Sequence, residues 1–217
     1  MSDPLISLLL EGTWETLYMV GLSGFFSILG GLPLGVILML TRPKGILRNL
    51  FMHKGLGCIV DVLRAIPFII LLIAIVPFTR LLVGTSIGTH AAIVPLSIAA
   101  IPFVARIVEN ALVAVDGGLL EAGEAMGATP WQLVYKILLP EARPAILRGF
   151  TLTLISLVGY SAMAGAVGGG GLGSIAINYG YQRFELTILL ITVMLLILLV
   201  YAIQWTGDWL AKRWEYG

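Results

Sequence analysis

The sequence predicts an all-α polytopic membrane fold with five transmembrane helices. Three observations predict it. The 217 residues are 59% hydrophobic and only 12% charged, about half the ~25% charge of an ordinary soluble domain. The mean hydropathy is +1.00. Five stretches, at roughly 16–40, 57–79, 90–113, 147–168 and 186–210, reach the ~20 mostly apolar residues that cross a hydrocarbon core. The intervals between them are too short to fold as soluble domains, so residues 1–217 read as one transmembrane domain with a core at about 13–205. The N-terminal stretch lacks a basic region followed by a cleavage site and predicts no cleaved signal peptide.

The first span carries Gly21, Gly24, Gly30, Gly31 and Gly35, which predicts close helix packing or a contact with a second copy. The second holds Asp61 and Arg64, and the third holds Arg106 and Glu109. Each pair is spaced i,i+3, so each is expected to neutralise itself on one helix face. Pro95 and Pro102 interrupt the third span; prolines persist in membrane helices when neighbours satisfy the freed carbonyls. The fourth contains Gly159-Tyr160-Ser161-Ala162-Met163-Ala164-Gly165-Ala166. Its Ser161/Gly165 and Ala162/Ala166 spacings allow close backbone approach, and simple packing explains most of them. Met163 differs, because a flexible thioether among small residues suits a movable plug. Ser161, Ala162 and Met163 are therefore the candidate pathway gate. The fifth span is rich in Leu and Ile and expected to face lipid.

Lys and Arg decide the orientation. Arg42, Lys44, Arg48, Lys54, Arg64, Arg106, Lys136, Arg143, Arg148, Lys212 and Arg213 fall on one side, and only Arg80 and Arg183 on the other. The bias predicts an outside N-terminus, a cytoplasmic C-terminus and a cytoplasmic interval at 114–146.

That interval is the most informative part of the chain. Residues from Leu119 to Ala128 favour a helix apart from the glycines. Thr129-Pro130-Trp131-Gln132 then reads as a new helix start, with Thr129 as N-cap, Pro130 at the first position and Gln132 completing a capping box. Leu139-Pro140 is expected to end that helix. Ala122, Gly123, Ala125, Gly127 and Ala128 give the first helix a low profile, and Glu121 and Glu124 suit the positive end of its dipole. On these residues alone, an interfacial linker anchored by Trp131 and Tyr135 is favoured over a docking element.

The spacing of Glu121, Ala122, Gly127, Ile137, Leu139 and Pro140 resembles the EAA loop of ABC importer permeases: E-A-A, three residues, G, nine residues, I-x-L-P. Gly123 departs from the second alanine. The resemblance extends over about residues 13–205 and is closest to the permeases of bacterial methionine-uptake systems. It implies a type I importer permease fold with a cytoplasmic coupling region at about 116–145. Glu121, Ala122, Gly123, Glu124, Ala125, Gly127 and Ala128 would then couple to an ATPase. It also implies a homodimer in the bacterial inner membrane, two copies of an ATP-binding subunit and an external methionine-binding protein. This chain would carry no cofactor and no catalytic activity; ATP-Mg would belong to the partner. A permease for another small solute, or an ion-coupled carrier, is the alternative.

Other motifs exclude functions. The glycines at 168–171 lack the G-K-[ST] ending of a phosphate loop and predict a flexible outer loop. The segment 168–185, ending in Asn178, Tyr179, Tyr181, Gln182, Arg183 and Glu185, is the candidate docking site for the binding protein. His53 and His90 fall on opposite sides and cannot share a metal. Cys58, the single cysteine, rules out an intrachain disulfide and is expected to be a packing residue. No ionisable constellation suggests a membrane-embedded enzyme, no inverted repeat of broken helices suggests a carrier, and nothing suggests a nucleic-acid partner.

Overall fold

A computed structural model of the chain describes residues 3–43 and 45–215. Lys44, one of the cations that set the orientation, lies outside the described residues. The first helix, α1 (Asp3–Thr41), starts well before the expected boundary. At ~1.5 Å per residue its 39 residues span about 58 Å, well beyond a ~30 Å hydrocarbon core. Its outer turns are held by packing, since Gly12 lies against Ile175.

The second expected span is not one helix. α2 (Leu50–Ala65) and α3 (Phe68–Ala74) meet at a bend of 102°. Ile66 is extended at φ −75°, ψ 123°, as the residue before a proline prefers, and Pro67 supplies no N–H to continue the ladder. The short α4 (Val76–Val83) follows, ending on Gly84 at φ 80°. Among the described residues four helices are long and apolar enough to cross a membrane, and five spans result when the bent pair is taken as one.

α5 (Thr89–Val113) keeps Pro95 and Pro102 inside one helix. It forms the most extensive helix pair with α1. Gly30, Gly31 and Gly35 receive Ile101, Val104 and Val108 across that contact and Gly24 lies against Leu154, as expected for packing, whereas nothing lies within 4 Å of where a Gly21 Cβ would stand.

Next come α6 (Gly117–Ala125) and α7 (Pro130–Leu133). The expected stop at Leu139-Pro140 does not occur. A π-helical turn at Val134–Leu138 passes directly into α8 (Leu139–Ala166). The Leu139 N–H reaches back to the Val134 carbonyl, one residue further than an α-helical bond. Widening the turn relieves the clash that a proline ring makes with the carbonyl four residues earlier.

The glycine run at 168–171 is not a flexible loop. Gly168, Gly170 and Gly171 adopt φ of 90°, 81° and 73°, the region that side chains disfavour. They turn the chain into α9 (Gly171–Ile175) and a π-helical turn at Ala176–Tyr181. Gly173 packs on Ala162, and Gly165 packs on Ser174. The small residues of the fourth span thus admit the backbone of this returning segment. α10 (Leu186–Glu215) closes the chain and is mostly exposed, as expected for a lipid-facing helix.

Among the described residues three apolar clusters make the core. One joins Met19, Leu96, Leu157 and Ala164. A second joins Val36, Val104, Val108 and Leu112 to Val134 and Leu138 of the π turn, and a small third joins Leu38, Val60 and Ala105. The polar interval is therefore rooted in the membrane helices.

Candidate functional site

The candidate coupling region is built from helix-end chemistry. Asp116 caps α6 by accepting from the Gly118 N–H at 2.7 Å. The sequence reading started the helix later and missed this cap, although Asp before Gly-Gly was its signal. The helix ends in a left-handed turn: the Ala128 N–H donates to the Gly123 carbonyl at 3.1 Å and the Gly127 N–H to the Glu124 carbonyl at 2.9 Å. This paired arrangement requires positive φ at the residue after the cap, and Gly127 has φ 78°. α7 begins as expected. Thr129 N–H donates to Gln132 Oε1 at 2.8 Å, and Gln132 N–H donates to Thr129 Oγ1 at 3.4 Å.

Gly123, the departure from alanine, is the buried member of α6. A Cβ there would meet Leu133 and Ile137 at 2.6 and 2.7 Å, so glycine lets α6 lie directly on the next helix. Glu121, Ala122, Glu124, Ala125 and Gly127 all remain exposed, and Ala128 is half-buried. Around them stand Met126, which is 88% exposed, and the stacked, exposed rings of Trp131 and Tyr135. An apolar relief with two carboxylates is thereby offered on a base fixed by the buried Leu133, Val134 and Leu138.

The three candidate gate residues do not share one environment. Ser161 is buried and donates to the Val158 carbonyl at 2.8 Å. Ala162 packs on Gly173 and borders an apolar groove towards α10. Met163 alone presents an exposed side chain, 49% accessible.

The two charged pairs are not independent. Arg106 donates to both oxygens of Asp61, at 3.1 and 2.7 Å, and to Glu109 at 2.6 Å. It also donates to the Gly57 carbonyl at 3.2 Å. Arg64 is left 3.8 Å from Asp61. A fork of donors in fixed geometry prefers a bidentate carboxylate, and α5 delivers Arg106 where it can take both oxygens. Both expected i,i+3 pairs form, and Asp61 in addition ties α2 to α5. Cys58, expected to be packed, is exposed on this same face of α2. His53 and His90 sit apart, His53 near the Leu38 carbonyl and His90 on Tyr18. Among the described residues no group of side chains could hold a metal ion.

The family model for the binding-protein-dependent transport system inner membrane component matches residues 31–216. The chain belongs to that family. It is 55% identical over 209 residues to the probable D-methionine transport system permease protein MetI of Vibrio cholerae serotype O1, covering 96% of this chain and 93% of that one. It is 56% identical over 165 residues to the D-methionine transport system permease protein MetI of Escherichia coli strain K12, 76% of each chain. Among solved structures, it is similar to inward-facing conformations of the MetNI methionine ABC transporter, with 53% identity, a TM-score of 0.97 and 99% of both chains covered. An amino acid ABC transporter at 20% identity, covering 96% of this chain and 94% of that one, has a TM-score of 0.79 and shares the fold. As a family member the chain is a multi-pass inner membrane component whose fold is that of a type I importer permease.

Proposed function

We propose that the chain is the permease subunit of an ATP-driven importer that carries methionine into the cell. Two copies form the pathway around a shared axis, the common C₂ arrangement of oligomers. An external binding protein delivers the substrate. Two copies of a separate ATP-binding subunit hydrolyse ATP-Mg and drive the cycle; this chain is not an enzyme. The observation that carries the reading is the likeness to a methionine ABC transporter over 99% of both chains. Support comes from relatives named as D-methionine permeases at above 50% identity.

Glu121, Ala122, Glu124, Ala125, Gly127 and Ala128 form the surface that the ATP-binding subunit grips, with Gly123 setting its height. The rigid link from this surface through Val134 and Leu138 to α1 and α5 suits the transmission of a push into the spans. The N-terminus lies outside and the C-terminus in the cytoplasm, an orientation supported by the Lys/Arg asymmetry of eleven against two.

Vesicles holding the reconstituted complex, with ATP inside the compartment of the ATPase and binding protein on the opposite face, should accumulate radiolabelled methionine. Uptake that ignores ATP or excludes methionine sinks the reading. In spheroplasts of a Cys58→Ser background, an impermeant maleimide should label a cysteine placed at Asn178 and spare one placed at Trp131. The reverse pattern would invert the orientation.

A further inference from the structure

The seam between α8 and α10 ends in a cluster of cations and aromatic rings that the proposed transport cycle does not use. Arg143 meets Trp214, Thr151 meets Gly207, and Val158 shares a groove wall with Val200, so the two helices run antiparallel. At one end the Arg143 guanidinium lies over the Trp214 ring at 5.1 Å, and Arg213 lies over Trp209 at 5.6 Å. Trp214 directly follows Lys212 and Arg213, so three cations share this end. All three are exposed, and among the described residues no ion pair engages them. A ring covers the face of a guanidinium and leaves its N–H edge able to donate. Of the nearby acids whose side chains are described, Asp208 accepts from Gln204 at 2.9 and 3.0 Å. Glu141 lies two residues before Arg143, about 200° around an α-helix.

From these cations a path leads into the membrane. On α10, Arg213, Trp209, Trp205 and Tyr201 succeed one another at i,i+4, each the neighbour of the next. The three rings are all exposed. On α8, Arg143, Leu147, Thr151, Ile155 and Gly159 follow the same spacing. Both rows reach an apolar groove of about 400 Å³ walled by Ile155, Val158, Gly159, Val200 and Tyr201. Nothing lies within 4 Å of where a Gly159 Cβ would stand. Ile155 is about 18 Å from Arg143 along α8, at ~1.5 Å per residue, and one leaflet of a ~30 Å hydrocarbon core is about 15 Å deep. Cations and groove are thus spaced as a headgroup phosphate and the tail below it. Tryptophans mark the headgroup level, and basic pockets between helices on the cytoplasmic side suit anionic headgroups.

We propose that the α8–α10 seam binds one anionic phospholipid of the cytoplasmic leaflet per chain, with its phosphate against Arg143, Lys212 and Arg213 and a tail running along the seam into the groove. Charge complementarity selects this occupant. A zwitterionic lipid brings a cation of its own to an end that already holds three. A second copy of the chain, with a formal net charge of +1, brings no net negative charge. A free phosphate leaves the groove empty. The choice of leaflet rests on the orientation proposed above.

The test is native mass spectrometry of the purified complex with its ATPase subunit, titrated in detergent with phosphatidylglycerol or phosphatidylcholine of matched tails. Each permease chain should retain one phosphatidylglycerol, and phosphatidylcholine should bind at least about tenfold more weakly. Arg143→Gln should weaken retention of phosphatidylglycerol about fivefold, the effect of one cation near an anionic surface. The double variant Lys212→Gln/Arg213→Gln should weaken it further, and Arg143→Lys should recover most of the loss. Glycerol phosphate, an anion with no tail, should not displace the lipid. Val200→Trp fills the groove and should weaken retention in a complex that still assembles. Equal retention of the two lipids, no loss in the cation variants, or displacement by glycerol phosphate overturns the proposal. Loss of the dimer in Val200→Trp would assign the groove to a second copy and overturn it too. Retention in detergent reads the site whichever face is cytoplasmic, so its failure is distinct from a failure of the orientation or of the importer reading.

Discussion

At the scale of single residues, glycine serves two distinct purposes in the proposed coupling region. Gly123 is there for space, because any side chain would enter Leu133 and Ile137. Gly127 is there for backbone freedom: its φ is 78°, and nothing lies within 4 Å of where a Cβ would stand. The two roles separate experimentally. Gly127→Ala and Gly127→Val should strain the end of α6 by about 1–2 kcal/mol and weaken retention of the ATPase subunit on purification. Gly127→Asn should be tolerated better than Ala, because Asn enters the left-handed region more readily. If Ala is neutral and Asn disruptive, surface contact rather than backbone conformation sets the role of this residue.

At the scale of elements, the outer returning segment is held by α1. Glu15 accepts from the Gly171 N–H at 2.6 Å and from Thr89 Oγ1 at 3.2 Å, and Thr16 accepts from the Leu172 N–H at 2.9 Å. These bonds occupy donors that the start of a short helix leaves free. The glycine run at 168–171 reads as floppy in one dimension and is packed in three. Glu15→Ala should leave the buried Gly171 N–H unpaired, at a cost of about 1–3 kcal/mol. Amide exchange at 171 and 172 should then quicken by roughly tenfold or more. Glu15→Gln keeps an acceptor and should exchange nearly as wild type. Equal exchange in all three proteins would mean that packing alone holds the segment.

At the scale of the whole molecule, the exposed Met163 is the feature that calls for a second copy. A methionine exposed among small residues on α8 is suited to meet its own symmetry mate and to move aside by rotamer changes. Met163→Cys in a Cys58→Ser background should give an inter-subunit disulfide in the resting complex and less of it with ATP trapped. The bond needs Cα atoms within about 7 Å. Replacing Cys58 is necessary because it is exposed. No cross-link under any nucleotide condition would return Met163 to the lipid face or to ordinary packing.

The sequence by itself determined what depends on composition and on spacing within one helix. Apolar length set the number of spans, the Thr129-to-Gln132 spacing set the capping box, and the interval from Glu121 to Pro140 marked the candidate coupling region and the family. Only the tertiary structure decided outcomes that turn on partners brought from afar. Pro67 breaks its span, while Pro95, Pro102 and Pro140 stay inside helices. Pro95 and Pro102 are buried in a helix packed on α1, Pro140 follows a widened π turn, and Pro67 is exposed at the bend. Asp61 keeps Arg64 at 3.8 Å on its own helix and also takes Arg106 at 2.7 Å, because α5 brings two Arg106 nitrogens to its two oxygens. No spacing along the chain encodes that second bond, since Arg106 lies 45 residues from Asp61.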